Sequence, residues 1–158
     1  MFEGLNHINI AGTEYPIKCD LYVLECIQDK YGAIEKFEKG IRFREKVDGM
    51  VPKKNADGTP ALDENGKEIM IPGKVWAYKD PDMKMLNHGL ELMINEGIDI
   101  QNEESGEKME HITAKQLARK MNQTVFEISD LLQKEYVNCF RVKNQETTQR
   151  ENQENQSR

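Results

Sequence analysis

The sequence predicts a mainly helical α+β fold in which an N-terminal β-hairpin packs on a helical bundle. Alternating apolar and polar residues open the chain, as is typical of a hairpin, and most later apolar runs recur at helical spacing. A polar segment without aliphatic or aromatic residues ends the chain. These observations predict one globular domain at 1–143 with a central hairpin excursion at 47–79, followed by a disordered C-terminal tail at 144–158.

The N-terminal hairpin is predicted from two alternating stretches joined by Ala11-Gly12. With a two-residue loop at that point, Ile8 lies opposite Tyr15 and the apolar side chains share one face. Ala11 is a poor residue for positive φ, which leaves a register shifted by one residue open. Pro16 has no N–H to donate, so we expect its nitrogen to point away from the ladder, or the strand to lie at an edge.

Apolar spacing and capping residues predict five helices. Asp20 is a good N-cap for the first, and Gly32 follows its last apolar position. Thr113 with Gln116 predicts a capping box for the fourth. The helices are expected at 20–31, 33–44, 81–96, 113–121 and 124–140.

Two further signals bound the third helix, which lies between the excursion and the fourth helix. Asp80 followed by Pro81 predicts its start, and Gly97 predicts its end. The polar and acidic stretch from Asp99 to Glu110 is expected to form an exposed loop.

The central excursion is rich in turn residues. Asn65-Gly66 is typical of a two-residue hairpin loop, which would set Leu62 opposite Ile69. Trp76, the only tryptophan, is interpreted either as an anchor for a partner or as the residue that pins this hairpin to the body. The second interpretation is favoured, because a short hairpin alone is marginal in water.

Composition excludes several classes of function. The formal net charge of -6 makes general binding to nucleic acid or anionic membranes unfavourable. Neither a transmembrane run nor a signal-peptide layout is present, so we expect a cytosolic protein. Cys19, Cys26 and Cys139 lack metal-ligand spacing and are expected to be reduced thiols. No catalytic, cofactor-binding or metal-binding motif occurs, and we therefore expect a protein that is not an enzyme.

Methionines concentrate in the third helix, where they suit either irregular core packing or an adaptable binding surface. Met83 lies in the first turn and is the better surface candidate, whereas Met85 and Met93 share a stripe with core residues. The candidate partner-binding residues are Met83, Met85, Leu90, Met93 and Trp76.

An alternative function follows from residues 112–134, which are similar to a helix-turn-helix. Lys115, Arg119 and Lys134 would then carry DNA binding. Glu127 and Asp130 in the second helix oppose this interpretation, because carboxylates there would face phosphates.

The order of these segments resembles the tail assembly chaperones of long-tailed bacteriophages. The resemblance rests on the stretch from Ile8 to Lys18, on Leu21 to Gly32, and on the later order of central helix, acidic loop and two helices. It covers most of 8–140, although the excursion departs from the compact form expected of that family.

This resemblance implies a non-catalytic assembly factor without a cofactor, acting in the cytoplasm of the bacterial host. Its implied partners are the tape measure protein, which it would hold soluble, and the tail tube protein that polymerises around it. The sequence leaves open whether the chain forms a homo-oligomer.

Overall fold

The computed structural model describes residues 5–156, with side chains described from 5 to 140, and it divides into two units. Met1–Arg42 with Pro81–Arg158 forms the larger unit, and Phe43–Asp80 forms the smaller one. The predicted α+β class is confirmed. The elements are β1 (Asn6–Ile10), β2 (Thr13–Ile17), α1 (Leu21–Tyr31), α2 (Ile34–Ile41), β3 (Arg44–Pro52), β4 (Met70–Tyr78), α3 (Met83–Ser105), α4 (Ala114–Lys120) and α5 (Val125–Gln156).

The N-terminal hairpin has the predicted register, with Ile8 opposite Tyr15. Ala11 and Gly12 form the loop with φ values of 51° and 85°, so Ala11 does adopt the conformation it disfavours. Asn9 supports this turn, because its side-chain oxygen accepts a hydrogen bond from the Gly12 N–H at 3.1 Å. The hairpin therefore turns its apolar residues to one face, where Ile8 and Tyr15 are buried.

The helix α1 begins and ends where the sequence predicts. Asp20 caps it by accepting a hydrogen bond from the Val23 N–H at 3.0 Å. Gly32 closes it with φ of 83°. The next helix, α2, is shorter than predicted, ending at Ile41, and Gly40 lies inside it without breaking it.

The central helix α3 differs from the prediction at both ends. Its N-cap is Asp82 rather than Asp80, and it continues for nine residues past Glu96 to Ser105. Gly97 therefore lies within the helix, and Gly106 ends it in the left-handed conformation. Only residues 106–113 remain as the connecting loop, so the predicted loop from Asp99 was too long.

Gly97 has a packing role that local sequence patterns do not indicate. A Cβ at this position would lie 2.6 Å from the carbonyl carbon of Pro16 and 2.8 Å from the nitrogen of Ile17. The backbone of β2 thus passes directly over α3. Beside this crossing, Lys18 donates its N–H to the Met93 carbonyl at 2.9 Å. The absent side chain at 97 lets a helix and a strand pack at backbone contact.

The core of the larger unit lies where α3 meets the hairpin, α1, α2 and the final helices. Gly89 leaves space for the Phe37 ring, because a Cβ at position 89 would lie 2.6 Å from that ring. Fully buried side chains at the centre include Ile10, Ile17, Ile27, Phe37, Leu90, Met93, Ile94, Leu117 and Leu132.

The two last helices start at the predicted capping boxes. Thr113 and Gln116 bond reciprocally at α4, and Thr124 and Glu127 do so at α5, where both bonds are 3.2 Å long. The buried Ser129 hydroxyl of α5 donates to the carbonyl at the end of α2.

The helix α5 passes the predicted end at Phe140, because no glycine or proline follows it. The backbone of α5 includes 144–156 of the predicted tail, whose side chains are not described, and the disorder of the tail stays a prediction.

The smaller unit is a ribbon in which β3 and β4 pair along nine residues each. Beyond the ribbon, Leu62 pairs with Glu68, so the predicted pairing of Leu62 with Ile69 was wrong by one residue. Asp63 explains the difference, because its side chain accepts the N–H groups of Asn65 and Lys67 and closes a three-residue loop. Gly66 completes this loop with φ of 75°.

We predict that Gly97→Ala destabilises the protein by about 2–3 kcal/mol, because the added methyl meets backbone that cannot rotate away. The matched control is Gly40→Ala, whose Cβ would meet the flexible end of the Met85 side chain. In that case the gain in helix propensity, about 1 kcal/mol, offsets the contact. Urea denaturation of both variants measures the difference, and equal stabilities would contradict the assigned role of Gly97.

A carboxyl pair links α1 to α3. The Glu96 carboxyl is partly buried and bonds to the Asp20 carboxylate, with Asp99 and Glu103 on the same side of α3. Burial, then the bond to Asp20 and its negative charge, raise the pKa of Glu96 from its ordinary value of 4.5 to about 7. The folded chain therefore holds this proton more tightly than the unfolded chain.

From this shift we predict that stability falls as the pH rises from about 4.5 to 7 and stays low above that range. Glu96→Gln keeps the bond to Asp20 without the ionisation. It should raise the free energy of unfolding at pH 8 by on the order of 1 kcal/mol, since the partly exposed site is screened by water. The same variant should change little at pH 4. A gain of equal size at both pH values would show that the proton on Glu96 is not involved.

Candidate partner-binding cleft

An apolar cleft opens between the first half of α3, the helix α4 and the start of α5. Its volume is about 370 Å³, at the lower end of the range of roughly 300–1,000 Å³ that is typical of binding sites. That volume fits a few anchoring side chains. The cleft is lined by Met83, Leu86, Asn87, Leu90, Ala118, Met121, Gln123, Val125 and Ile128.

Polar side chains of α3 fix the loop that leads into α4, one of the helices that line this cleft. Asn95 bonds the backbone of Ile112 twice, accepting its N–H and donating to its carbonyl, both at 2.9 Å. Asn102 bonds the backbone of Met109 in the same way, also at 2.9 Å. Each asparagine side chain thus bonds a backbone N–H and a backbone carbonyl of the loop, as a neighbouring peptide group would. The loop is thereby held along α3.

The start of α4 is fixed by two more side chains of α3. Asn87 donates to the carbonyl of Ala114 at 2.8 Å, and Glu91 accepts the Ala114 N–H at 2.6 Å. The Glu91 carboxylate lies at the positive end of a short helix, where a negative charge is favourable. These bonds set the width of the cleft, because they hold α4 beside α3.

The predicted partner-binding residues fall in three different places. Met83 is 52% exposed at the rim of the cleft, and Leu90 is buried in its floor. Met85 and Met93 are buried in the core, on the stripe that they were predicted to share with core residues, and their contact with a partner stays a prediction. The stripe that suggested them packs inside the unit. Ala118 and Met121 line the cleft from α4, although sequence reasoning did not select them.

Trp76 belongs to the smaller unit and is 52% exposed. Its ring lies under two cations of its own ribbon, with Arg44 at 4.9 Å and Lys46 at 5.2 Å from the ring centroid. Both of these contacts lie within the ribbon. The two interpretations of Trp76, as an anchor for a partner and as the residue that pins the excursion to the body, stay predictions.

The lining of the cleft is electrically neutral, since its polar members are the amides Asn87 and Gln123. Gln123 donates to the Asn9 carbonyl at 3.1 Å, which ties the turn before α5 to the N-terminal hairpin. A neutral apolar lining favours an apolar ligand, because a charged group would lose its hydration without gaining a partner.

A larger polar cleft of about 560 Å³ lies between β1 and α5. Glu127, Asp130, Lys134 and Glu135 line it from α5. The buried Glu135 bonds the Asn6 amide, and burial raises the pKa of its carboxyl although that bond opposes the shift. This lining suits a polar ligand, and its two exposed acidic residues lie on the first turns of α5.

Comparisons with known proteins identify no relative: neither a protein-family model, a curated protein nor a solved structure matches the chain. Among the described residues, no group of three or more metal-ligating side chains is placed to hold a metal ion. No helix in the described part of the chain has both the length and the apolar character needed to cross a bilayer.

The asparagine contacts generate a prediction about the loop before α4. Asn95→Ala leaves the N–H and the carbonyl of Ile112 without partners, and should cost about 2 kcal/mol of stability. Asn87→Ala is the control, because it removes a single bond. Amide hydrogen exchange at Ile112 should accelerate in the first variant and not in the second. Unchanged exchange in Asn95→Ala would show that the loop is held by other contacts.

Proposed function

We propose that this chain is a non-catalytic assembly chaperone that binds an apolar helical segment of a partner in the cleft between α3, α4 and α5. In the setting that the sequence resemblance implies, the partner is the tape measure protein of a long-tailed bacteriophage. The chain would keep it soluble in the host cytoplasm until the tail tube protein assembles around it.

The observation that carries this proposal is the neutral apolar cleft with Met83 exposed at its rim. Grooves of this kind bind amphipathic helices by accepting side chains one turn apart. Met83 and Met121 are unbranched and adapt to differently shaped side chains, which suits a partner with many similar segments. The acidic character of the whole chain, with a net charge of -6, keeps a complex with an apolar partner in solution.

The alternative proposal is DNA binding through α4 and the start of α5. In its favour, the two helices are joined by a short turn at 121–124, and Lys115 and Arg119 of α4 are exposed. Against it, Glu127 and Asp130 are exposed on the first turns of α5, where a reading helix would approach phosphates. The chaperone proposal has the better support on these grounds.

The test of the chaperone proposal is a pair of matched substitutions, Met83→Glu and Leu21→Glu. Both residues follow a capping aspartate at the first position of a helix, and they are 52% and 67% exposed. A carboxylate is tolerated at both positions by the helix dipole. They differ in that Met83 lines the cleft and Leu21 does not.

Met83→Glu should reduce co-purification with a co-expressed apolar tape measure fragment by at least about tenfold, which corresponds to roughly 1.4 kcal/mol of binding. Leu21→Glu should leave recovery unchanged. Equal recovery by both variants, each folded by circular dichroism, would remove the cleft from the binding site. Binding of duplex DNA that weakens steeply with salt and depends on Lys115 and Arg119 would support the alternative instead.

A further inference from the structure

The outer edge of β3 has no strand beside it in the described part of the chain, because β3 and β4 form a sheet of two strands. The hydrogen bonds at the ends of the ribbon fix which residues face that edge. Lys79 donates to the Phe43 carbonyl at 2.8 Å, and Lys53 donates to the Ile69 carbonyl at 2.7 Å. Odd-numbered residues of β3 therefore bond to β4, since bonded pairs alternate in an antiparallel ladder. The even-numbered residues Arg44, Lys46, Asp48 and Met50 point their N–H and carbonyl groups outward, and Pro52 at the end of the strand points only its carbonyl outward.

The two edges of the ribbon are not equivalent. On β4, Pro72 is the second of the five outward residues, and a proline has no N–H to offer a neighbour, so the uninterrupted outward run on that edge is Lys74, Trp76 and Tyr78. On β3 the proline is Pro52, the last residue. The edge of β3 thus presents an uninterrupted run of four outward residues, and edges of this kind are templates for strand pairing.

The charges on this edge complement those on the same edge of a second copy. Lys46 and Asp48 both face the edge on the same side of the ribbon and flank Val47. In an antiparallel pair of two β3 strands centred on Val47, Lys46 of each copy lies directly opposite Asp48 of the other copy. Directly opposite residues of opposite charge stabilise an antiparallel pair. A symmetric dimer contains this pair twice.

We infer that the chain forms a two-fold symmetric dimer in which β3 pairs antiparallel with β3 of a second copy, centred on Val47. About eight main-chain hydrogen bonds join the outward groups of the two strands. The result is a continuous sheet of four strands in which the proline at the end of β3 lies beyond the paired residues.

Both faces of this sheet support the register. On one face, Val47 lies beside Val75 in its own ribbon, and both are half-buried in a single copy. The central row of the dimer therefore contains four valines, which cover one another. On the other face, Asp48 is already bonded to Lys74, and Lys46 contacts Trp76. The new contact between Lys46 and Asp48 continues this row without opposing any like charge.

The first test compares two variants, each of which removes one outward N–H. Lys46→Pro removes it from the β3 edge, where the second copy would pair. The control Lys74→Pro removes it from the β4 edge, and neither N–H forms a hydrogen bond inside the ribbon. Sedimentation equilibrium of the full chain should give twice the mass of the 18.3 kDa chain for the wild type and for Lys74→Pro. Lys46→Pro should give the single mass.

A wild type that is monomeric across the concentration series would overturn the inference. So would a dimer that survives Lys46→Pro, or one that Lys74→Pro dissociates equally. The circular dichroism of Trp76 in the aromatic region reports whether each ribbon is intact.

If Lys46→Pro unfolds the ribbon, a change of charge at the contact between Lys46 and Asp48 tests instead whether the two β3 edges pair. In the dimer, Lys46→Glu places the new carboxylate of each copy opposite Asp48 of the other copy. Because this repulsion occurs at two symmetric positions, the variant should weaken dimerisation at least tenfold. Lys54→Glu makes the same change of charge outside β3 and should leave dimerisation unchanged. Equal effects of the two variants would show that net charge, rather than pairing at the β3 edge, controls association.

Discussion

The larger unit depends on the close approach of α3 to the backbone of β2. At Gly97 the two backbones come to a distance that no other residue type allows, and the bond from Lys18 to the Met93 carbonyl fixes the strand there. Because α3 carries the hairpin at this crossing, Ile10 and Ile17 are buried against it. The same helix holds the loop before α4 through Asn95 and thereby forms the cleft.

The helix caps and the first turn could be predicted from the sequence, because the interactions that form them join residues close together in the chain. Asp20 and Thr113 cap helices through hydrogen bonds that span three residues, and the two-residue turn at Ala11-Gly12 sets the first hairpin. Gly97 was misread for the opposite reason. A glycine that follows an apolar helical run usually ends it, whereas this one serves a strand that lies about eighty residues earlier in the chain. The shifted register at Leu62 likewise depended on how a single side chain, Asp63, closes its loop.

The candidate site was predictable only in part. The methionine-rich helix was found from composition, and Met83 was correctly placed at the surface. Spacing placed Met85 and Met93 on a stripe with core residues, and both are buried, but spacing did not show which neighbouring elements cover that stripe. The contribution of Ala118 and Met121 depends on the position of α4, which is set by Asn87 and Glu91. Those polar contacts leave no periodic pattern in the sequence.

The proposed function depends on the cleft between α3, α4 and α5 accepting an apolar helix. Hydrogen exchange of the chain, free and in complex with a tape measure fragment, tests this most directly. If the helix binds there, we expect slower exchange at the first turns of α3, along 114–121 and at the start of α5, where backbone amides lie beneath the bound helix. Protection confined to the ribbon at Phe43–Asp80, or protection of the polar cleft beside β1 alone, would contradict it.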